Sequence, residues 1–190
     1  MTSTRVRACL LAVAVAMSLG GCSSDDDPKK ATDSGLLKVS DMPFEDATTD
    51  DLPRPPVLSQ LGTTCLGLEQ GGLYDAGWKV DARQFYDSSE WTVISAVFTP
   101  PEGTSAEEGL DEAQAAVEAC APKESAARIK PLDLGGSTYA YEVTTPRGEF
   151  NAARAYKPLP DGKLAQVSVM KLPEGKDATA VLKDLVDDLD

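Results

Sequence analysis

Histidine is absent from all 190 residues. That removes the commonest general base and the commonest metal ligand together. Ser/His/Asp and Cys/His nucleophile systems are excluded, and so are His-based zinc sites. Aromatic residues are scarce at 6%, so any core must lean on Val, Leu and Ala. Cysteine occurs four times, at Cys9, Cys22, Cys65 and Cys120. No apolar run approaches the roughly 20 residues that a membrane-spanning helix needs. No Gly-rich phosphate loop is present: Gly71-Gly72 and Gly135-Gly136 are pairs, and neither leads into Lys-Ser/Thr. Alternating acids with glycine, the pattern of a calcium loop, are missing as well. Basic residues are few, 18 against 31 acidic, for a net charge of −13. Such a chain is repelled by nucleic acid and by anionic headgroups, so no nucleic-acid partner is expected.

What is present begins at the N-terminus. Arg5 and Arg7 precede an uncharged stretch, Ala8–Leu19, and Gly20-Gly21 lead into Cys22. A positive start, a short apolar run and small residues are the layout of an export signal. Leu19-Gly20-Gly21-Cys22 resembles the bacterial lipobox. That resemblance implies a signal peptide over residues 1–21, cleavage before Cys22, and a diacylglyceryl thioether on its sulfur. Each buried methylene contributes about 0.8 kcal/mol, and two or more chains hold a protein to a bilayer durably. The expected partner of Cys22 is therefore the cell membrane, on its extracytoplasmic face. Removing residues 1–21 leaves 16 basic against 31 acidic residues, a balance of −15.

Ser23–Ser34 reads SSDDDPKKATDS, too polar to bury itself. Residues 22–35 are thus expected to be a lipidated flexible tether. The Asp25–Asp27 triplet reads as solvated linker, not as a cation site. Residues 36–190 remain for a single domain. In an exported domain the remaining cysteines, Cys65 and Cys120, are expected to form a disulfide. It would close a loop of 56 residues and contribute about 4 kcal/mol in the chain-entropy account. The rival, a metal site, falls short of the usual four zinc ligands. No metal or cofactor is expected.

Within the domain, Leu36-Leu37-Lys38-Val39 starts structured chain, and Asp50–Pro56 reads as an extended surface segment. Two or three strands are expected between Cys65 and Phe98, turning at Gly71-Gly72 and at Asp87-Ser88-Ser89. Trp91–Phe98 is apolar on both faces, which predicts a central strand covered on both sides. A helix follows, with Thr104 or Ser105 and Glu107 or Glu108 forming a capping box. Its apolar stripe is Leu110, Ala113, Val117 and Cys120, and Pro122 stops it. Three more strands are expected over Thr138–Thr144, Glu149–Lys157 and Leu164–Leu172, joined by Pro146-Arg147-Gly148 and Pro160-Asp161-Gly162. Asp177–Leu189 closes the chain as a second helix, with Ala178, Val181, Leu182, Leu185, Val186 and Leu189 on one face. Its terminal acids oppose the helix dipole, so packing must hold it. The order β-β-α-β-β-β-α predicts an α+β domain, an antiparallel sheet with both helices packed on one face.

One spacing matches a catalytic motif. Ser168-Val169-Met170-Lys171 is Ser-x-x-Lys, but that chemistry needs one helical turn between serine and lysine, and the alternation here reads as strand. Catalysis is not expected. The remaining candidate is a shallow ligand face of Tyr139 and Tyr141 on one strand with Arg154 and Tyr156 on the next. The same tyrosines also read as ordinary cross-strand packing.

Leu36-Leu37 with Ser40-Asp41-Met42-Pro43, the strand ending in Phe98, the Ala-rich helix ending in Cys120, a Tyr-rich strand, and Gln166-Val167-Ser168-Val169 together carry a family likeness. They resemble exported actinobacterial domains related to the PknH-like extracellular sensor domain, over most of residues 36–190. That resemblance implies ligand sensing or binding outside the cell, by a small ligand or an envelope protein. Members often carry two disulfides, whereas the exported part of this chain has the sulfurs for one. The alternative function is a structural or assembly lipoprotein that contacts other envelope proteins.

Overall fold

The computed structural model describes residues 35–53, 68–86, 91–120, 128–144, 151–170 and 177–189. All of them lie in the compact unit Asp33–Asp190. The signal, the tether and the Cys22 attachment point fall outside the described residues. So do Cys65, the side chain of Cys120 and the connector Pro146-Arg147-Gly148.

Among the described residues, seven strands form one fully antiparallel sheet. They are β1 (Thr48–Leu52), β2 (Lys79–Tyr86), β3 (Thr92–Thr99), β4 (Arg128–Leu132), β5 (Tyr139–Thr144), β6 (Asn151–Pro158) and β7 (Leu164–Met170). Their spatial order is β1-β2-β3-β7-β6-β5-β4. Three helices accompany them: α1 (Leu68–Asp75), α2 (Ala106–Cys120) and α3 (Ala178–Asp187). The domain is α+β, as the patterning indicates.

β3 is central, as its two apolar faces predict: it pairs with β2 on one side and β7 on the other. Val93, Ile94, Ser95, Ala96, Val97 and Phe98 are all buried. β-Branched and aromatic residues suit such a doubly covered strand. The α2 capping box forms at Ser105 and Glu108. Ser105 N donates to Glu108 Oε2 at 2.8 Å, and Glu108 N donates to Ser105 Oγ at 3.2 Å. Asp177 caps α3 by accepting from Thr179 N at 2.9 Å. The Pro160-Asp161-Gly162 connector is a tight turn, with Gly162 at φ 81° and Leu159 N donating to Lys163 O at 2.8 Å.

The helices do not share a face. α2 sets Ala106, Ala113 and Val117 against Ala96, Phe98, Tyr156 and Leu164. α3 sets Val181, Leu182, Leu185, Val186 and Leu189 against Val93, Val97, Val167 and Val169. On β3 these contacts alternate by residue parity, so they belong to opposite sides of the sheet. The physical reason is the double-sided apolarity of β3, β6 and β7. One helix layer cannot cover both faces of such strands, and each face takes its own.

Gly71-Gly72 is not a turn but the middle of α1. α1 packs on α2 so closely that a Cβ built on Gly72 would lie 2.6 Å from Glu112 Oε1. Tertiary contact thus outweighs the helix-breaking tendency of the glycines. Two edge strands lie outside the expected set. In β1 the residues Thr48, Thr49, Asp50 and Asp51 are all exposed, so no alternation marks it. β4 contains Pro131, a residue that sheets accept at their edges.

Candidate functional site

The four residues expected to form a ligand face do come together. Tyr139 lies opposite Tyr156, and Tyr141 opposite Arg154, across the β5–β6 pair. Arg154 in turn faces Ser168, and Tyr156 faces Gln166, across β6–β7. Small residues flank them in β6, as Ala152, Ala153 and Ala155, all buried.

The face is closed, not shallow and open. Tyr141 and Tyr156 are 0% exposed and Arg154 is 1% exposed. Tyr141 and Tyr156 pack in the same apolar cluster as Ala113 and Val117 of α2. Only Tyr139 is half-buried, its ring tilted at 41° to that of Tyr141 with centroids 5.8 Å apart. The expectation of an accessible ligand surface here is therefore corrected. The two buried tyrosines are taken up in core packing to which α2 contributes.

Beneath α2, Ser168 gathers two donors. Arg154 Nε and Gln166 Nε2 each donate to Ser168 Oγ at 2.8 Å. All three side chains are buried. A hydroxyl oxygen has two lone pairs, and here both accept. Taking a guanidinium out of water is costly unless it is well bonded, and this oxygen meets part of that need. The serine of the Ser-x-x-Lys spacing is thus a strand residue that positions Arg154. Lys171 lies outside the described residues.

Ser95 does a similar task on the opposite face. Its Oγ accepts from Leu37 N at 3.1 Å, tying the segment before β1 to the central strand. Sequence reasoning missed both serine acceptors. The readable signal was each serine's place inside a strand that is otherwise apolar on both faces, where a polar group must find a partner.

Titration behaviour is perturbed at the sheet edge. Tyr86 Oη donates to Asp50 Oδ2 at 2.8 Å. That bond, then desolvation and the carboxylate charge, hold the phenol above its ordinary value of 10.0. On α3 the Lys183 ammonium is likewise raised, first by its hydrogen bond to Asp187 and then by that residue's charge. Tyr86 is half-buried and Lys183 exposed, and both are structural in setting.

Among the described residues, no group of three or more Cys, Asp or Glu could hold a metal ion. None of their helices is long and apolar enough to cross a membrane. No protein-family model matches the chain, and no curated protein sequence matches it.

Proposed function

We propose that this chain is a lipid-anchored lipoprotein of the extracytoplasmic face of the cell membrane. Its folded domain is a binding or sensor-like module without catalytic activity. One observation carries the reading: Leu19-Gly20-Gly21-Cys22 ends an apolar run that follows Arg5 and Arg7 and precedes a charged, proline-containing segment. That order combines an export signal, a lipidation site and a spacer. The strong acidity of the exported part suits a body held away from anionic headgroups by its tether. The likeness to PknH-like extracellular sensor domains adds ligand sensing as the biological role. The lack of histidine, with Ser168 committed as an acceptor for Arg154 and Gln166, supports binding over chemistry.

Metabolic palmitate labelling of cells expressing the chain and a Cys22→Ser variant tests the anchor. Label is expected on the first and absent from the second; label that persists in the variant refutes the attachment. A second reading, an assembly lipoprotein that contacts envelope proteins, gains from the closed Tyr141–Arg154–Tyr156 face. Crosslinking on intact cells tests it, because a stoichiometric protein partner favours that reading over small-molecule sensing.

A further inference from the structure

Between Gly35 and Ala47 the chain crosses the α3 face of the sheet without joining it as a strand. Its backbone bonds there are local, Asp41 N to Lys38 O at 3.0 Å and Met42 N to Val39 O at 3.2 Å. Leu37 provides polar ties to the body. Its N donates to Ser95 Oγ at 3.1 Å, and its O accepts from Arg83 Nη1 at 3.5 Å. Farther along, Met42 is buried in the core, and Phe44 stacks on Trp91 with centroids 4.1 Å apart and planes at 27°. The strap then reaches β1 through Asp46 at φ 63°, a left-handed conformation that non-glycine residues hold at a cost.

Trp91 is 1% exposed, yet its indole Nε1–H meets no acceptor among the described residues. Buried donors almost always find a partner, and an indole can only donate. The ring stacked on it, Phe44, brings neither oxygen nor nitrogen. Phe44 thus covers the face of the indole, and the N–H at the ring edge is left unanswered.

We infer that Phe44 is a displaceable plug in a binding site floored by Trp91. The occupant is a neutral aromatic molecule bearing one hydrogen-bond acceptor on a short arm that turns out of the ring plane, an aryl ketone being the simplest case. Its ring replaces that of Phe44 on the indole face, and its carbonyl oxygen reaches over the ring edge to accept from Trp91 Nε1–H. A carboxylate is disfavoured, because it would carry charge into the apolar cluster of Leu37, Met42 and Val93. The Leu37–Met42 part stays in place, bonded to Ser95 and buried in the core, while Pro43–Asp46 swings out, which relieves the left-handed backbone. This names a site and a ligand class for the binding module proposed above, and it does not depend on Cys22.

The test follows the two tryptophan indole N–H signals by NMR in the full chain, reconstituted in lipid nanodiscs and labelled with 15N-tryptophan. Acetophenone is the probe, and cumene is its counterpart of similar shape without an acceptor. Acetophenone is expected to move the Trp91 signal saturably, at about tenfold lower concentration than cumene. Phe44→Ala is expected to tighten acetophenone binding severalfold, with Phe44→Leu, which keeps an apolar side chain for folding, in between. A Trp91 signal moved equally by both probes, or by neither in wild type and Phe44→Leu, overturns the site. Acetophenone binding in a chain that takes no palmitate removes the anchor but keeps the site. A labelled chain that ignores both probes does the reverse.

Discussion

Lys157 on β6 donates from Nζ to the Leu189 carbonyl at 2.6 Å, and to the Val186 carbonyl at 3.0 Å. One ammonium thus covers two carbonyls at the C-terminal end of α3, where the helix dipole is negative and Asp187 and Asp188 add charge of the same sign. The acids at that end oppose the dipole, and the remedy comes from a strand across the sheet layer, not from the helix itself. Lys157→Met keeps the aliphatic stem and removes the charge. It is expected to cost about 2 kcal/mol. Hydrogen exchange should speed up first in the last turn of α3, and the urea midpoint should fall.

Two helical glycines are expected to respond to alanine in opposite directions. A Cβ on Gly109 would sit 2.6 Å from Cη2 and Cζ2 of Trp78, a rigid, buried ring that cannot step aside. Overpacking there costs typically 1–3 kcal/mol, against a gain of up to about 1 kcal/mol in helix propensity. Gly109→Ala is therefore destabilising, by about 1 kcal/mol. On Gly72 the Cβ meets the carboxylate end of Glu112, an exposed and flexible side chain that can swing into water. Gly72→Ala is expected to stabilise by about 0.5 kcal/mol. Urea denaturation of both variants checks the opposite signs.

The Tyr86–Asp50 bond predicts an alkaline effect. The folded phenol titrates above its unfolded value of 10.0, so the fold favours its protonated form. Its contribution to stability is complete below that unfolded value and is lost as pH rises through the folded one. In phenolate absorbance the Tyr86 contribution, read as the difference between wild type and Tyr86→Phe, is expected to titrate late. Asp50→Asn removes the carboxylate and should bring that contribution back toward the ordinary range.

Elements whose residues carry their own periodicity were legible before folding. β3 announces itself by apolar residues on both faces, α2 by Ser105 and Glu108, and α3 by its Val181-to-Leu189 stripe. What could not be read depends on neighbours. α1 holds Gly71 and Gly72 in a helix because it lies against α2, a contact more than 30 residues away. β1 shows no apolar alternation because its residues face solvent, and its place is set by β2, including the Arg83 Nε–Asp51 Oδ1 pair at 3.0 Å. The tyrosine–arginine face was legible as a set of residues in register. Its closure was not, because the residues that pack with Tyr141 and Tyr156 come from other elements, α2 among them. The covering of both sheet faces was implied by β3 alone, and assigning both helices to one face contradicted it.

Ser168→Ala tests what the buried Arg154 requires. The substitution removes one hydroxyl and leaves two donors, Arg154 Nε and Gln166 Nε2, without the acceptor they share at 2.8 Å. A buried donor stripped of its partner costs about 1–3 kcal/mol, and more when the group is charged. The expected loss is about 3 kcal/mol, far above the small change that a surface serine would give. Replacing the charge as well, in Arg154→Met with Ser168→Ala, should recover part of that loss, because a buried cation no longer needs an acceptor. Chemical denaturation of both single variants and the double variant gives the coupling between the two positions. Additive losses would show that Ser168 does nothing for Arg154.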